Sequence, residues 1–486
     1  MKNTATQHTL SRRRFAKTVS EGTLIVGFNA AIGSWVTNAC ARSAAPFHAL
    51  PRLDGTLLLD ESSRLTYAQD YGQIIHERPL AVLLPGSVED ILRMLRFARY
   101  HGLRIAARGQ GHQPFGQAQV EGGIVIDMRA LGKIRAISDE RVDVDAGADW
   151  RAVVHAASRH GRTPPVLPAY LGLTVGGTLS IGGIGVTSFR HGAQIDHVLE
   201  LQVVTGDGRV LSCSERKHPD LFEAALAGQG QCGIITRAVL RLVPAQPMIR
   251  EYLLPYAALA PLLEDELSLA EDDRFDGAVA LIDPSPAAGS FALSAIRQFT
   301  PPHVPDDAAL TRGLRALAGA QQIRDVSYLE YVDAIPSVPF TSSRADLGLF
   351  VPGSAAAQFL GNVLPRLNPQ ELGMALAMRV FFWKRRPFTR PLFRIPKEET
   401  FMYMALLRPE TSDRDVLARM LAGNRALFEQ NRALGGTLYP FSALELRPSD
   451  WNQQYGNAGP ALAAAKSRYD PGNVFASGPG TLRAKH

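Results

Sequence analysis

From Arg78 onward, short apolar runs alternate with amphipathic stretches. The run Pro79-Leu80-Ala81-Val82-Leu83-Leu84-Pro85, closed by proline, reads as a buried strand. Ser87-Val88-Glu89-Asp90 then caps a helix whose apolar positions, Ile91, Met94, Leu95 and Ala98, recur at helical spacing. Further strands are expected at 103–107, 123–127 and 142–146, and a helix over 150–159. Two strands meet around Gly206-Asp207-Gly208, where the Asp-Gly pair marks a hairpin. A short helix at 222–226 and an alternating strand at 234–242 follow. This mixed order predicts an α+β domain with a core of its own.

After Pro244 the texture changes and glycine thins out. Longer helical stretches (308–318, 354–367, 412–434) alternate with strands (278–282, 375–382, 401–407), which predicts a second domain. The pattern divides the chain into a leader at 1–41, a first domain at 42–247, a second at 248–440 and a C-terminal segment at 441–486. In that last segment a helix at 460–467 precedes a tail rich in glycine and proline. No internal repeat is visible.

The composition is that of a globular protein, with 46% hydrophobic and 20% charged residues among 486, which excludes a disordered or collagen-like chain. Three cysteines, Cys40, Cys213 and Cys232, are too few for a disulfide framework. The net charge of +6 is concentrated at the start, where Lys2, Arg12, Arg13, Arg14 and Lys17 face only Glu21. The rest is nearly balanced and has no basic stripe interleaved with aromatics, so no nucleic acid is expected as a partner. Ser11-Arg12-Arg13-Arg14-Phe15-Ala16-Lys17 fits a twin-arginine export signal. A mildly apolar stretch at 23–36 and the small residues Ala39-Cys40-Ala41 complete it. That stretch is too short and too interrupted to span a bilayer. Thr37 stands where a lipid-anchor signal prefers leucine. The expectation is a periplasmic or secreted protein that meets the twin-arginine export machinery. Because that route carries folded proteins, a cofactor would be loaded before export.

Three glycine-rich segments carry the candidate chemistry. The first is Arg108-Gly109-Gln110-Gly111-His112-Gln113-Pro114-Phe115-Gly116-Gln117, directly after a strand. Its glycines let the backbone approach a ligand and aim N–H groups at an anion such as a pyrophosphate. The second, Leu173-Thr174-Val175-Gly176-Gly177-Thr178-Leu179-Ser180-Ile181-Gly182-Gly183-Ile184-Gly185, suits a backbone wrapped around a flat polar ligand. The third is Gly228-Gln229-Gly230-Gln231-Cys232-Gly233-Ile234-Ile235-Thr236. Three such loops can converge on one extended ligand. The GxGxxG turn of a nicotinamide-binding fold is absent. No metal site is read.

These loops resemble those of the vanillyl-alcohol-oxidase (PCMH-type) FAD-binding family, and most closely the cytokinin dehydrogenases. The resemblance rests on Tyr170-Leu171-Gly172-Leu173-Thr174-Val175-Gly176-Gly177-Thr178-Leu179-Ser180, on Phe189-Arg190-His191-Gly192, and on Gly109-x-Gly111-His112 with Gly116-Gln117-Ala118. Tyr469-Asp470-Pro471 and Ser477-Gly478-Pro479-Gly480 look like the family's C-terminal tail, with a shifted register. The resemblance implies a two-domain α+β fold, an FAD domain and a cytokinin-dehydrogenase-like substrate domain. It implies an 8α bond from His112 to the flavin, with Gly109, Gly111, Gln113 and Gln117 along the pyrophosphate. It also places Thr174, Gly177, Ser180, Ile184 and Ile234 against FAD, and Tyr439 and Ser477 near the isoalloxazine. Gln113 stands in for the usual serine. The region that carries a second linking cysteine in some relatives holds Tyr170, Leu171 and Gly172, so one bond at most is expected.

One departure bears on function. Cytokinin dehydrogenases carry an aspartate before the Tyr-Leu pair that accepts the substrate's proton. Here that position is Ala169, which has no acceptor. The second domain offers Glu330 and Asp333 as replacements, and Tyr439 is a further candidate. His191 more simply orders its loop, and Cys232 packs as a small apolar residue. The expected activity is transfer of a hydride from the C–N carbon of a small amine to flavin N5. Oxygen or another electron acceptor then takes the electrons. Oxidation of an alcohol, sugar or lactone, or a non-catalytic flavin-binding role, are the alternatives that Ala169 leaves open.

Overall fold

The computed structural model describes residues 25–29, 33–37, 48–283, 291–335, 342–368, 371 and 378–476. Among the described residues, two larger sheets form the body of the first domain, beside a two-stranded ladder of Arg162–Thr163 and Val243–Pro244. In one, Thr56–Leu58 pairs antiparallel with Ala81–Leu84, which runs parallel to Ile124–Asp127, itself parallel to Ile105–Arg108. Parallel neighbours need a crossover, and the helix Val88–Tyr100 supplies it. Its start is the one the sequence marks: Ser87 Oγ accepts from the Asp90 amide at 3.3 Å. Ile91, Met94, Leu95 and Ala98 are fully buried on its inner face. The second sheet is antiparallel, in the order Val210–Cys213, Val198–Thr205, Gly233–Arg241, Arg141–Asp145, Ile134–Ile137.

The second domain is built on one eight-stranded antiparallel sheet. Its order is Gln322–Ser327, Met248–Tyr256, Phe291–Phe299, Gly277–Ile282, Met378–Lys384, Thr400–Leu406, Leu347–Pro352, Thr437–Leu438. Helices Leu259–Asp272, Ala356–Val363 and Arg414–Ala433 pack on it. The helix expected at 308–318 is confined to Asp307–Thr311, because the chain turns through Gly313 at φ +77°. Of the strand expected at 375–382, Met378 onward is a strand, and 375–377 lie outside the described residues.

Two segments return to the first domain. After the helix Gly459–Tyr469 the tail adds to the edge of Ile105–Arg108: the Ile105 amide donates to Val474 O (2.8 Å) and the Ala476 amide to Ile105 O (2.7 Å). Asp470 holds that turn. Its fully buried carboxylate accepts from the Val474 and Phe475 amides and from Lys466 Nζ at 2.5 Å. At the other end, Ile25–Asn29 pairs with Ser34–Thr37 and His48–Ala49. This hairpin docks on the crossover helix through Phe28, which is buried against Phe97, and through Trp35 Nε1, which donates to Leu80 O (3.2 Å). It lies within the stretch expected to be the leader. Cys213 and Cys232 are free and buried, and burial pushes both thiols up to about 12, consistent with small apolar packing. Among the described residues no helix is long and apolar enough to cross a membrane.

Candidate active site

A cavity of about 1030 Å³ lies between the two domains. Gly109, Gly111, His112, Gln113, Gln117, Thr174, Gly177, Ser180, Ile184, Ile234 and Tyr439 all line it. Ser477 lies outside the described residues.

The first loop leaves the end of Ile105–Arg108 and is clasped from behind. The Tyr71 amide donates to Gly111 O (2.7 Å), and Asp70 Oδ2 accepts from the Gly116 amide (2.6 Å). Two glycines are demanded by the geometry. Gly111 sits at φ +67°, and a Cβ there would fall 2.3 Å from the Arg108 guanidinium. A Cβ on Gly109 would fall 2.1 Å from Thr174 Oγ1, so the first and second loops touch only because none is present. Among the described residues, the backbone N–H groups of 110–113 have no acceptor. Consecutive unpaired N–H groups facing a cavity form an anion cradle. The buried Oε1 atoms of Gln113 and Gln229 also lack a partner. In the second loop, Thr174 Oγ1 accepts from the Gly177 amide (3.3 Å) and starts the short helix Val175–Leu179 within the glycine-rich run. This donor set fits FAD: a diphosphate for the cradle and a polar ring system for the glutamine amides.

His112 is held against rings. It stacks on Tyr170 (4.8 Å between centroids, 2° between planes) and on Phe441 (5.2 Å, 11°), with Tyr71 at 4.1 Å. Burial, helped by the Arg344 cation, pushes its pKa down to about 3. The imidazole is therefore neutral at any ordinary pH and keeps a nitrogen lone pair.

The roof comes from alternate residues of the large sheet: Val279 and Leu281, Arg379, Phe381 and Trp383, and Tyr403 and Ala405. Period-two spacing sends these side chains to one face. Tyr439 joins them, buried against Phe350, Phe393 and Tyr403. Arg190 ties the domains together, donating to Asp276 Oδ1 (2.6 Å) and to the carbonyls of Asp273 and Phe275.

Glu330 and Asp333 are not on the cavity wall. Their helix, Tyr328–Ala334, turns Tyr328, Tyr331 and Ala334 inward instead. Asp333 is half exposed and engaged by Arg151 (2.7 Å) and His155 (2.8 Å), which lower its pKa. Glu330 is exposed in the first turn. Ala169 does line the cavity. The sequence reading missed Tyr71, Arg344, Asp346, Arg379 and Tyr403, all on the wall. One signal could have found Asp346: a carboxylate at the head of the wholly buried strand Leu347–Pro352. Among the described residues, no cluster of three or more His, Cys, Asp or Glu could hold a metal ion.

An anion cradle, a neutral buried histidine and a separate sheet roofing the same cavity define a flavin-binding oxidoreductase. Comparison with known proteins agrees. The FAD binding domain family matches residues 79–214, and the family described as cytokinin dehydrogenase, FAD and cytokinin binding matches residues 306–481. An oxidoreductase of the fasciation locus of Rhodococcoides fascians is 35% identical, over 88% of this chain and 99% of that one. Cytokinin dehydrogenase 10 of Oryza sativa subsp. japonica is 32% identical over 87% of each chain. Cytokinin dehydrogenase 2 of Arabidopsis thaliana is 29% identical, over 88% of this chain and 94% of that one. The chain belongs to the cytokinin-dehydrogenase-like family of FAD-dependent oxidoreductases.

Proposed function

We propose that the protein oxidises a small amine at its C–N bond, as the names of its plant relatives suggest, with FAD held through a single bond to His112. One observation carries this reading: the same cavity runs from the N–H cradle, past His112, to the roof of the second domain. FAD, when bound, supplies the two-electron acceptor for the substrate's hydride. The N–H groups of 110–113 hold its diphosphate, and the Gln113 and Gln229 amides meet its polar edges. A ring nitrogen of the neutral His112 imidazole, through its lone pair, would carry the bond to the flavin. Phe381, Trp383 and Leu281 keep water from the reacting carbon. Oxygen or another acceptor then reoxidises the enzyme, which reaches the periplasm or the medium through the twin-arginine machinery.

Ala169 on the cavity wall favours a second reading, in which the substrate is an alcohol, sugar or lactone. A panel of isopentenyladenine, benzylic alcohols and sugars, offered with a dye acceptor, separates the two. Flavin absorbance lost with isopentenyladenine supports amine oxidation. Loss confined to alcohols or sugars transfers the assignment to the second reading.

A further inference from the structure

Ala169 leaves the reaction without a proton acceptor at the family's position, and the cavity wall holds another. The argument rests on the flavin reading above. Tyr71 Oη donates to Asp346 Oδ2 at 2.5 Å, joining two residues 275 positions apart, one from each domain. Asp346 is 1% exposed. Its other oxygen accepts from the Arg408 amide (2.7 Å) and lies 3.4 Å from Arg344 Nη2. These donors offset part of the cost of burying its charge. Among the described residues, the other carboxylates on the wall are already committed: Glu251 to Arg324 and Asp276 to Arg190, each at 2.6 Å. Asp346 alone makes its shortest bond to a phenol, and a phenol oxygen that donates to a carboxylate can accept a proton in turn.

We propose that Tyr71 is the catalytic proton acceptor of this enzyme and that Asp346 is the positioning residue that takes the proton onward. As the substrate's N–H or O–H bond breaks, its proton forms a new O–H bond at Tyr71 Oη. The proton Tyr71 held passes to Asp346 Oδ2, giving a carboxylic acid. With FAD bound, the substrate carbon would give up its hydride to it, so the substrate would lose two electrons, the flavin would gain them, and a C=N or C=O bond would form. Asp346 returns its proton to solvent after product leaves.

Among the described residues, the charged and titratable groups around the pair are Arg344, Arg379, Arg408 with Glu371, Tyr403, His112 and Glu410. The Arg344 guanidinium, 5.7 Å from the Tyr71 ring centre, steadies negative charge there. Burial raises the Asp346 carboxyl above the ordinary aspartate range. Wild-type flavin reduction should therefore rise with pH as Asp346 loses its proton.

The test uses the holoenzyme as wild type, Tyr71→Phe, Asp346→Asn and Asp346→Glu. Dithionite should bleach the flavin in all four, showing a loaded and redox-competent site. Substrate should reduce Tyr71→Phe about 100-fold more slowly, the low end of general-base effects. KM should change far less. Asp346→Asn should lose the rising limb of the pH profile, and Asp346→Glu should recover part of it. Infrared spectra of the resting protein read the pair without turnover. A carboxyl band absent from Asp346→Asn should titrate at higher pH in Tyr71→Phe, because one donor to the carboxylate is gone. Flavin reduction within three-fold of wild type (about 0.6 kcal/mol) in both Tyr71→Phe and Asp346→Asn, with an unchanged pH profile and dithionite still effective, overturns the proposal alone. A wild-type protein that holds no flavin overturns the functional reading, and this inference with it. If Tyr71→Phe fails to fold, the pH profile and infrared band of Asp346→Asn decide.

Discussion

A histidine that stays neutral in its folded setting keeps a lone pair for bond formation, and His112 is such a residue. His112→Ala should leave the flavin extractable by acid or denaturant, whereas wild type should keep its fluorescence on a denaturing gel. Flavin retained by the variant through such a gel would place the bond on another residue, and flavin lost from wild type would mean that no bond forms. The glycines at 109, 111 and 116 marked only a loop able to approach a ligand, and the flavin bond at His112 was read from the family resemblance. Tyr71 was not legible, and Asp346 was marked only as a carboxylate at the head of a buried strand, not by its partner. Their meaning is a contact between two domains, and neither spacing nor propensity encodes a partner 275 positions away. Glu330 and Asp333 show the converse. The helix was foreseeable, but which of its faces meets the cavity is settled by packing of Tyr328 and Tyr331.

Strands behaved differently in the two domains. Most of those of the first are short apolar runs bounded by proline, glycine or a cap and lie within two or three residues of their expected places, but the edge strands Thr56–Leu58 and Ile134–Ile137, with few buried positions, went unforeseen. In the large sheet, Met248–Tyr256, Phe291–Phe299, Gln322–Ser327 and Leu347–Pro352 escaped notice, for opposite reasons. Leu347–Pro352 is buried throughout and loses its alternation. Gln322–Ser327 is an edge strand, exposed at all but one position, and has no apolar face to detect. The turn after Gly459–Tyr469 gives a test at this level. Lys466 and Asp470 form an ion pair 3% and 0% exposed, and the same carboxylate holds the two amides that dock the tail. Lys466→Met removes one partner and leaves a buried charge, a change that costs about 3–5 kcal/mol. Denaturant unfolding should show that loss. A cost below about 1 kcal/mol, the range of exposed pairs, would mean that the backbone amides alone hold Asp470.

The chain as a whole joins two demands at its N-terminus. If the N-terminus is the twin-arginine leader that its sequence resembles, export requires a finished fold and residues 1–41 are removed afterwards. Yet Phe28 and Trp35, inside that leader, pack on the helix Val88–Tyr100 and on Leu80. If the leader is cleaved, the precursor is more stable than the mature enzyme. Burying one phenylalanine side chain contributes about 1.5–3 kcal/mol, and Trp35, half-buried, adds less. Protein kept in the cytoplasm by the double change Arg12→Lys, Arg13→Lys should retain its full N-terminus and resist denaturant by about that margin. Protein recovered from the periplasm or medium should begin after Ala41 and unfold earlier, with its flavin in place, because among the described residues the cavity wall draws none from the hairpin. An exported protein whose first residue lies before Ile25 would show that this hairpin is part of the mature fold and that the signal ends sooner than its sequence pattern suggests.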